Sequence, residues 1–444
     1  MRAPLPLSVL LAAILPLSLP FVPPLVTPSH GQAEEPVNEP GDAPFDAAAP
    51  DFDATDWDSV FTAFDRGIAS EQRTKLEPIV GFGYSKVEGI HAEGGLSFGP
   101  LAGILERIEL RGGYDFQRAK PTAAGRLRLG PGGPEIELPG SPASVAFEIE
   151  GWSGARATTR HDPFANAWLT LLGGYDARGY GLERSGVVYL VARPSDRTGL
   201  RLGLQRLEQS PLEAVEQSHL FGDDIWMATN IDADRFVTNG VRLELRRRAP
   251  FPKGVVVEEV YANALAAYYG GELLGGEREY ARFETQLFRR FELQSDDAWS
   301  LTFAGGSLGG RAPQQARFDL GGEAGLFAYR PGSFIGDASF ATRVQYEYRR
   351  HLDRKTRAPL LRRFGVALVP FAEVGAAWGE GFTSPSSFRG PRPEEIRGNV
   401  GFGVRKSLEA TGRASHLQVN LAWPVGYDRG PLRITVSVSE DGLD

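Results

Sequence analysis

Along Phe340–Arg350, FATRVQYEYRR, mostly apolar side chains alternate with charged or amide-bearing ones. Phe340, Thr342, Val344, Tyr346 and Tyr348 share one face, and Ala341, Arg343, Gln345, Glu347 and Arg349 share the other. VRLELR repeats the split, with Val241, Leu243 and Leu245 opposite Arg242, Glu244 and Arg246. In ARFETQL, Ala281, Phe283, Thr285 and Leu287 oppose Arg282, Glu284 and Gln286. In PLRITVSVS, Leu432, Ile434, Val436 and Val438 oppose Arg433, Thr435 and Ser437. A period of two sets one face of a strand in an apolar medium and the other in a polar one.

Sixteen strands are predicted from Ile79 onward. The first eight fall near 80–87, 89–98, 104–116, 122–130, 143–152, 184–193, 198–206 and 238–248. The second eight fall near 256–269, 278–290, 297–307, 338–350, 361–377, 396–407, 414–423 and 431–439. Alternation alone also fits a soluble sandwich, but two features favour a membrane barrel. The polar face mixes Arg with Glu strand after strand, as the lumen of such a barrel does. The long gaps follow the fifth, seventh, eleventh and thirteenth strands, whereas gaps after even-numbered strands are shorter. Short turns on one rim and long loops on the other is the layout of an outer-membrane barrel. Lipid also demands closure, because an open sheet edge in hydrocarbon leaves backbone groups unsatisfied. The expected fold is therefore all-β, a transmembrane antiparallel barrel of about 16 strands, preceded by a disordered linker and a short helix.

The 444-residue chain opens with Arg2, an apolar run broken by prolines, and GQA ending at Ala33, which reads as a secretory signal over 1–33. Residues 34–54 are acidic, rich in Pro and Ala, and devoid of Lys and Arg, so a disordered linker is expected. In the stretch 55–78, Trp57, Phe61, Phe64 and Ile68 recur at helical spacing with Asp56 placed to cap, predicting a short amphipathic helix and a lead-in. The barrel then occupies 79–444, and export places it in the bacterial outer membrane.

Composition narrows the function. A net charge of −8 argues against nucleic acid as a partner, and the absence of cysteine removes disulfides, thiolate metal sites and thiol nucleophiles. Only six of the 48 basic residues are Lys, a skew that fits a coding bias. GLSFG around Ser97 and GGSLG around Ser307 match a serine-hydrolase elbow but lack its strand–turn–helix context. The histidines show no ligand spacing, and NIDADRF (Asn230–Phe236) lacks the Gly and closing Glu of a calcium loop. No metal, no cofactor and no enzymatic activity are expected. Trp378, Trp423 and Tyr427 read as interface anchors.

The longest glycine-rich aromatic stretch, Leu320–Asp337, LGGEAGLFAYRPGSFIGD, falls between the eleventh and twelfth strands. Its order LGG, GLFAY and FIGD followed by RVQYEYR resembles the bacterial surface antigen family, a superfamily that includes the BamA and TamA assembly factors and two-partner secretion transporters. VPFAEVGAAWG resembles that family's inner-wall motif, and Phe371, Glu373 and Gly375 share one parity there. GFGYSKVEGIHAEGGLSF resembles the paired first strands, so the likeness covers roughly 79–439. It implies that the sixth outward loop folds into the lumen, with Phe327, Tyr329 and Arg330 at its tip and Phe371, Glu373 and Gly375 as wall partners.

Three departures stand out. Phe327 and Ala328 occupy the places of the family's Arg and Gly, so Arg330 is the arginine expected to reach Glu373, the alternative being that it faces water. The roughly 45 residues between signal and barrel leave no room for the family's periplasmic POTRA repeats. The chain also ends SVSEDGLD, without a terminal aromatic. The resemblance implies a monomer among outer-membrane lipids, aiding insertion or transport of protein or lipid through a weak seam between first and last strands. Client outer-membrane proteins or a periplasmic protein would be its partners. The alternative is a passive pore or structural barrel of the same shape.

Overall fold

The structure is a computed structural model and describes residues 75–85, 88–99, 103–132, 144–157, 180–195, 197–212, 233–253, 256–293, 297–322, 325–348, 366–379, 389–410, 413–426 and 430–440. The expected signal, linker and amphipathic helix lie outside the described residues. The end of the lead-in, however, is already strand.

The first strands are β1 (Lys75–Ser85), β2 (Gly89–Gly99), β3 (Gly103–Asp115), β4 (Lys120–Gly132), β5 (Ser144–Ala157) and β6 (Tyr180–Ser195). Next come β7 (Thr198–Pro211), β8 (Phe236–Lys253), β9 (Val256–Tyr269), β10 (Tyr280–Glu292) and β11 (Ala298–Gly310). Two short strands, β12 (Phe318–Asp319) and β13 (Ile335–Gly336), belong to the following loop. The series closes with β14 (Ala338–Glu347), β15 (Val366–Trp378), β16 (Ile396–Ala410), β17 (Arg413–Val425) and β18 (Arg433–Glu440). Sixteen of them form one sheet, in the order β1 to β11 and then β14 to β18, while β12 and β13 pair with each other. Each of the sixteen predicted segments coincides with one of these strands. Among the described residues no backbone ladder joins β1 to β18, so the seam lies between them.

The sheet is apolar outside and polar inside. Val80 is 84% exposed, Leu204 63% and Ile434 67%, although all three are aliphatic. Glu148, Arg201, Glu244, Glu373 and Asn420 are buried. A soluble sandwich would reverse both groups, because its apolar side chains gain by leaving water. No described helix is long and apolar enough to cross a membrane. The strands run from eight residues in β18 to eighteen in β8, against the 9–11 or so that a tilted strand needs to cross.

Inside, charges neutralise one another across strands. The Arg201 guanidinium lies 3.0 Å from Glu148, 2.9 Å from Glu150 and 3.3 Å from Glu244, and stacks 3.8 Å from the Tyr189 ring centre. Arg126 binds the same Glu148 and Glu150, at 3.1 and 3.0 Å. Arg242 reaches Glu244 and Gln205. These are the Arg–Glu alternations seen in the sequence, and removal of one member would leave a buried charge without its counterion.

The loop parity mostly holds. Long gaps separate β5 from β6, β7 from β8, β11 from β14 and β15 from β16, and short ones separate β6 from β7 and β8 from β9. Between β14 and β15, residues 349–365 lie outside the described residues.

Candidate functional site: the lumen loop and its seat

The segment Arg311–Asp337 leaves β11 and turns into the barrel. At its mouth the Arg311 N–H donates to Glu279 and the Leu308 N–H to Asp337. Its first arm lies on the wall made by β7 to β11. Ala312, Ala316 and Phe318 pack against Tyr269, Tyr280 and Leu308, while Arg282 donates to the Ala316 carbonyl at 3.0 Å. The Gln315 amide exchanges two hydrogen bonds with the Asp234 backbone, at 3.1 and 2.9 Å. Asp234, part of the rejected calcium-loop motif, also pairs with Arg278 at 3.1 Å. It serves as a clamp on the loop arm.

Beyond β12 the loop is held by its own groups. Both Asp319 carboxylate oxygens accept backbone N–H groups, from Gly321 at 2.9 Å and Gly332 at 2.7 Å. Burial pushes the Asp319 carboxyl up to about 6, against the lowering effect of those two bonds. The Leu326 N–H donates to Leu320 and the Gly322 N–H to Tyr329. This turn is so tight that a Cβ on Gly325 would stand 1.8 Å from the Leu320 carbonyl oxygen.

The tip rests on β14, β15 and β16. Register sets Arg343 of β14 opposite Glu373 of β15, and Glu373 opposite Asn399 of β16, all on the inner face. Glu373 is fully buried. It accepts from the Arg343 guanidinium, from the Asn399 amide at 2.6 Å and from the Phe327 backbone N–H at 2.8 Å. The Phe327 ring lies under the Arg343 guanidinium, 3.8 Å from its centre, and meets Phe371 edge-on at 5.3 Å and 79°. Cation–π and edge-to-face contacts of this kind gain strength away from water. Tyr329 donates to the Gly398 carbonyl at 3.1 Å and packs edge-on against Phe334. Leu320 covers Gly375, where a Cβ would come within 2.9 Å of Leu320 Cδ1 and 2.6 Å of the Phe340 carbonyl oxygen. Only glycine lets the loop lie that close.

Five of the six residues picked from the sequence therefore meet: Phe327, Tyr329, Phe371, Glu373 and Gly375. Arg330 does not join them. It is exposed, and the guanidinium on Glu373 belongs to Arg343. The cause is register, since Arg343 is the in-register neighbour of Glu373 whereas Arg330 lies beyond the turn that presents Phe327. Of the expected interface anchors, Trp423 is exposed on the outer face, Trp378 is buried with its indole N–H on Arg389, and Tyr427 lies outside the described residues.

Folding also assembles a group that spacing along the chain does not reveal. At the outer rim, His91 Nδ1 lies 2.7 Å from Asp115 and 4.0 Å from Glu88. Such a triad has the donor set of a cation site. Here Arg118 already holds the second Asp115 oxygen at 3.3 Å, and the cluster works as an ion-pair knot between β2, β3 and their turns. Burial, with the Asp115 charge beside it, pushes the Glu88 carboxyl up to about 7.

No family model matches the sequence, and no curated protein matches it. Solved structures do match in fold. BamA from Haemophilus ducreyi lacking POTRA domains 1–3 aligns over 82% of this chain and 70% of its own, at 13% identity and a TM-score of 0.51. This chain is an outer-membrane β-barrel. CdiB from Escherichia coli aligns over 85% of this chain and 69% of its own, at 11% identity and a TM-score of 0.45. The Pseudomonas aeruginosa protein OccK2 aligns over 83% and 93%, at 12% identity and a TM-score of 0.33.

Proposed function

We propose that this barrel belongs with the surface antigen type and aids the insertion or translocation of protein or lipid at the outer membrane. The observation that carries the reading is the docked loop. Its tip is inserted into the lumen and seated on the wall motif around Glu373, with five barrel strands following it. The loop is held by buried contacts along two successive stretches of the wall, its arm on β9–β11 and its tip on β14–β16.

The seam supports the same reading. β1 contains Gly81 and Gly83 and has no ladder to β18 among the described residues, and interior glycines weaken strand pairing. Two edges left open to each other can admit a further strand, as sheet edges do by backbone pairing. Its partners would be client outer-membrane proteins or a periplasmic protein that delivers them, and the barrel itself would act as a monomer.

Purified full-length protein, reconstituted into liposomes, tests this directly. Faster membrane insertion of an unfolded outer-membrane protein than into empty liposomes is the expected result. No acceleration, together with a steady open conductance in planar bilayers, would instead identify a passive pore.

A further inference from the structure

We infer that the inner wall of β14–β16 carries a preformed seat for an aromatic residue, and that Phe327 is its exchangeable occupant. The contacts alone carry this, whether the barrel inserts, translocates or conducts.

The wall is complete without the tip. Arg343, Glu373 and Asn399 are consecutive in-register neighbours, so the buried carboxylate keeps a guanidinium and an amide when the loop departs. The described residues of the loop give this network neutral groups: the Phe327 N–H to Glu373, the Gly325 carbonyl to Arg343 at 3.3 Å, and the Phe327 ring under the Arg343 guanidinium. Had the arginine been on the loop, undocking would strand a buried charge, the most costly way to break such a pair. Here it leaves behind a slot with a flat cation on one side, the Phe371 ring on another and a carboxylate acceptor at its base.

The tip also has the means to leave as a unit. Its turn is closed by its own bonds, through Asp319, Leu320 and Tyr329. The arm is anchored separately, by Gln315 on the Asp234 backbone ahead of β8 and by Ala316 on Arg282 of β10. Tip release therefore does not require release of the arm. The matching ligand is an extended peptide with an aromatic side chain and a free backbone N–H on the same residue.

The test uses full-length Phe327→Ala protein in detergent micelles and a fluorescein-labelled peptide of sequence GLFAYR, the order found at Gly325–Arg330. A dye on Ser333→Cys, the sole cysteine of that variant, reports tip mobility. The expected result is a freed tip in Phe327→Ala and peptide binding about tenfold or more tighter than to wild type, whose seat is filled, with a GLAAYR peptide weaker by a similar factor. Three results would each overturn the inference. The tip could stay as immobile as in wild type, GLFAYR could bind no better than GLAAYR, or Phe327→Ala could fail to fold, since a wall that needs its occupant is not preformed.

Discussion

Glu373 gathers more than any other residue of the site: a guanidinium, an amide and a backbone N–H on one fully buried carboxylate. Replacing it by alanine strands Arg343, and breaking a buried pair in this way costs about 3–5 kcal/mol. Arg330 is exposed, so water screens the contacts it makes, and Arg330→Ala should cost about 1 kcal/mol or less. Thermal unfolding in micelles, read beside protease cutting of the loop, checks both, and equal losses from the two variants would restore Arg330 to the site. Phe371, Glu373 and Gly375 were legible because parity along one strand puts them on one face. Arg343 was legible as a lumen residue but not as the partner of Glu373. That requires the register of β14 on β15, which the alternation along either strand alone does not give.

At the scale of elements, the first two hairpins are tied together by the cluster of Glu88, His91 and Asp115. Glu88 lies in the turn between β1 and β2, and its carboxyl is raised to about 7 mainly by burial. A raised carboxylate pKa means that folding takes up a proton between the ordinary carboxylate range and that value, so stability should fall as pH rises from about 4.5 to 7. The shift limits this effect to about 3 kcal/mol. Glu88→Gln should flatten that slope in melting curves recorded across the window, and a slope unchanged in the variant would assign it to other groups. The elements themselves were readable from alternation, all sixteen of them, because lipid on one side and a charged bore on the other make the period of two unusually clean. The rim cluster was not readable, since Glu88 and His91 are separated from Asp115 by most of a hairpin and meet only through pairing of β2 with β3.

For the whole molecule, everything rests on the inversion of inside and outside. The same residue types that fill a soluble core, Val80, Leu204 and Ile434, are the exposed ones here, and Arg and Glu fill the interior. The loop, its seat and the open seam have meaning only within such a barrel. β11 offers the most direct test, because the chain has no cysteine and its residues 300–304 are small or apolar. Single cysteines at Ser300, Leu301, Thr302, Phe303 and Ala304, each carrying a fluorophore, can be exposed in liposomes to lipids with nitroxide on the acyl chain. Strong quenching at Leu301 and Phe303, with weak quenching at Ser300, Thr302 and Ala304, is what the barrel requires. Quenching that does not alternate, or that is weak at every position, would contradict it.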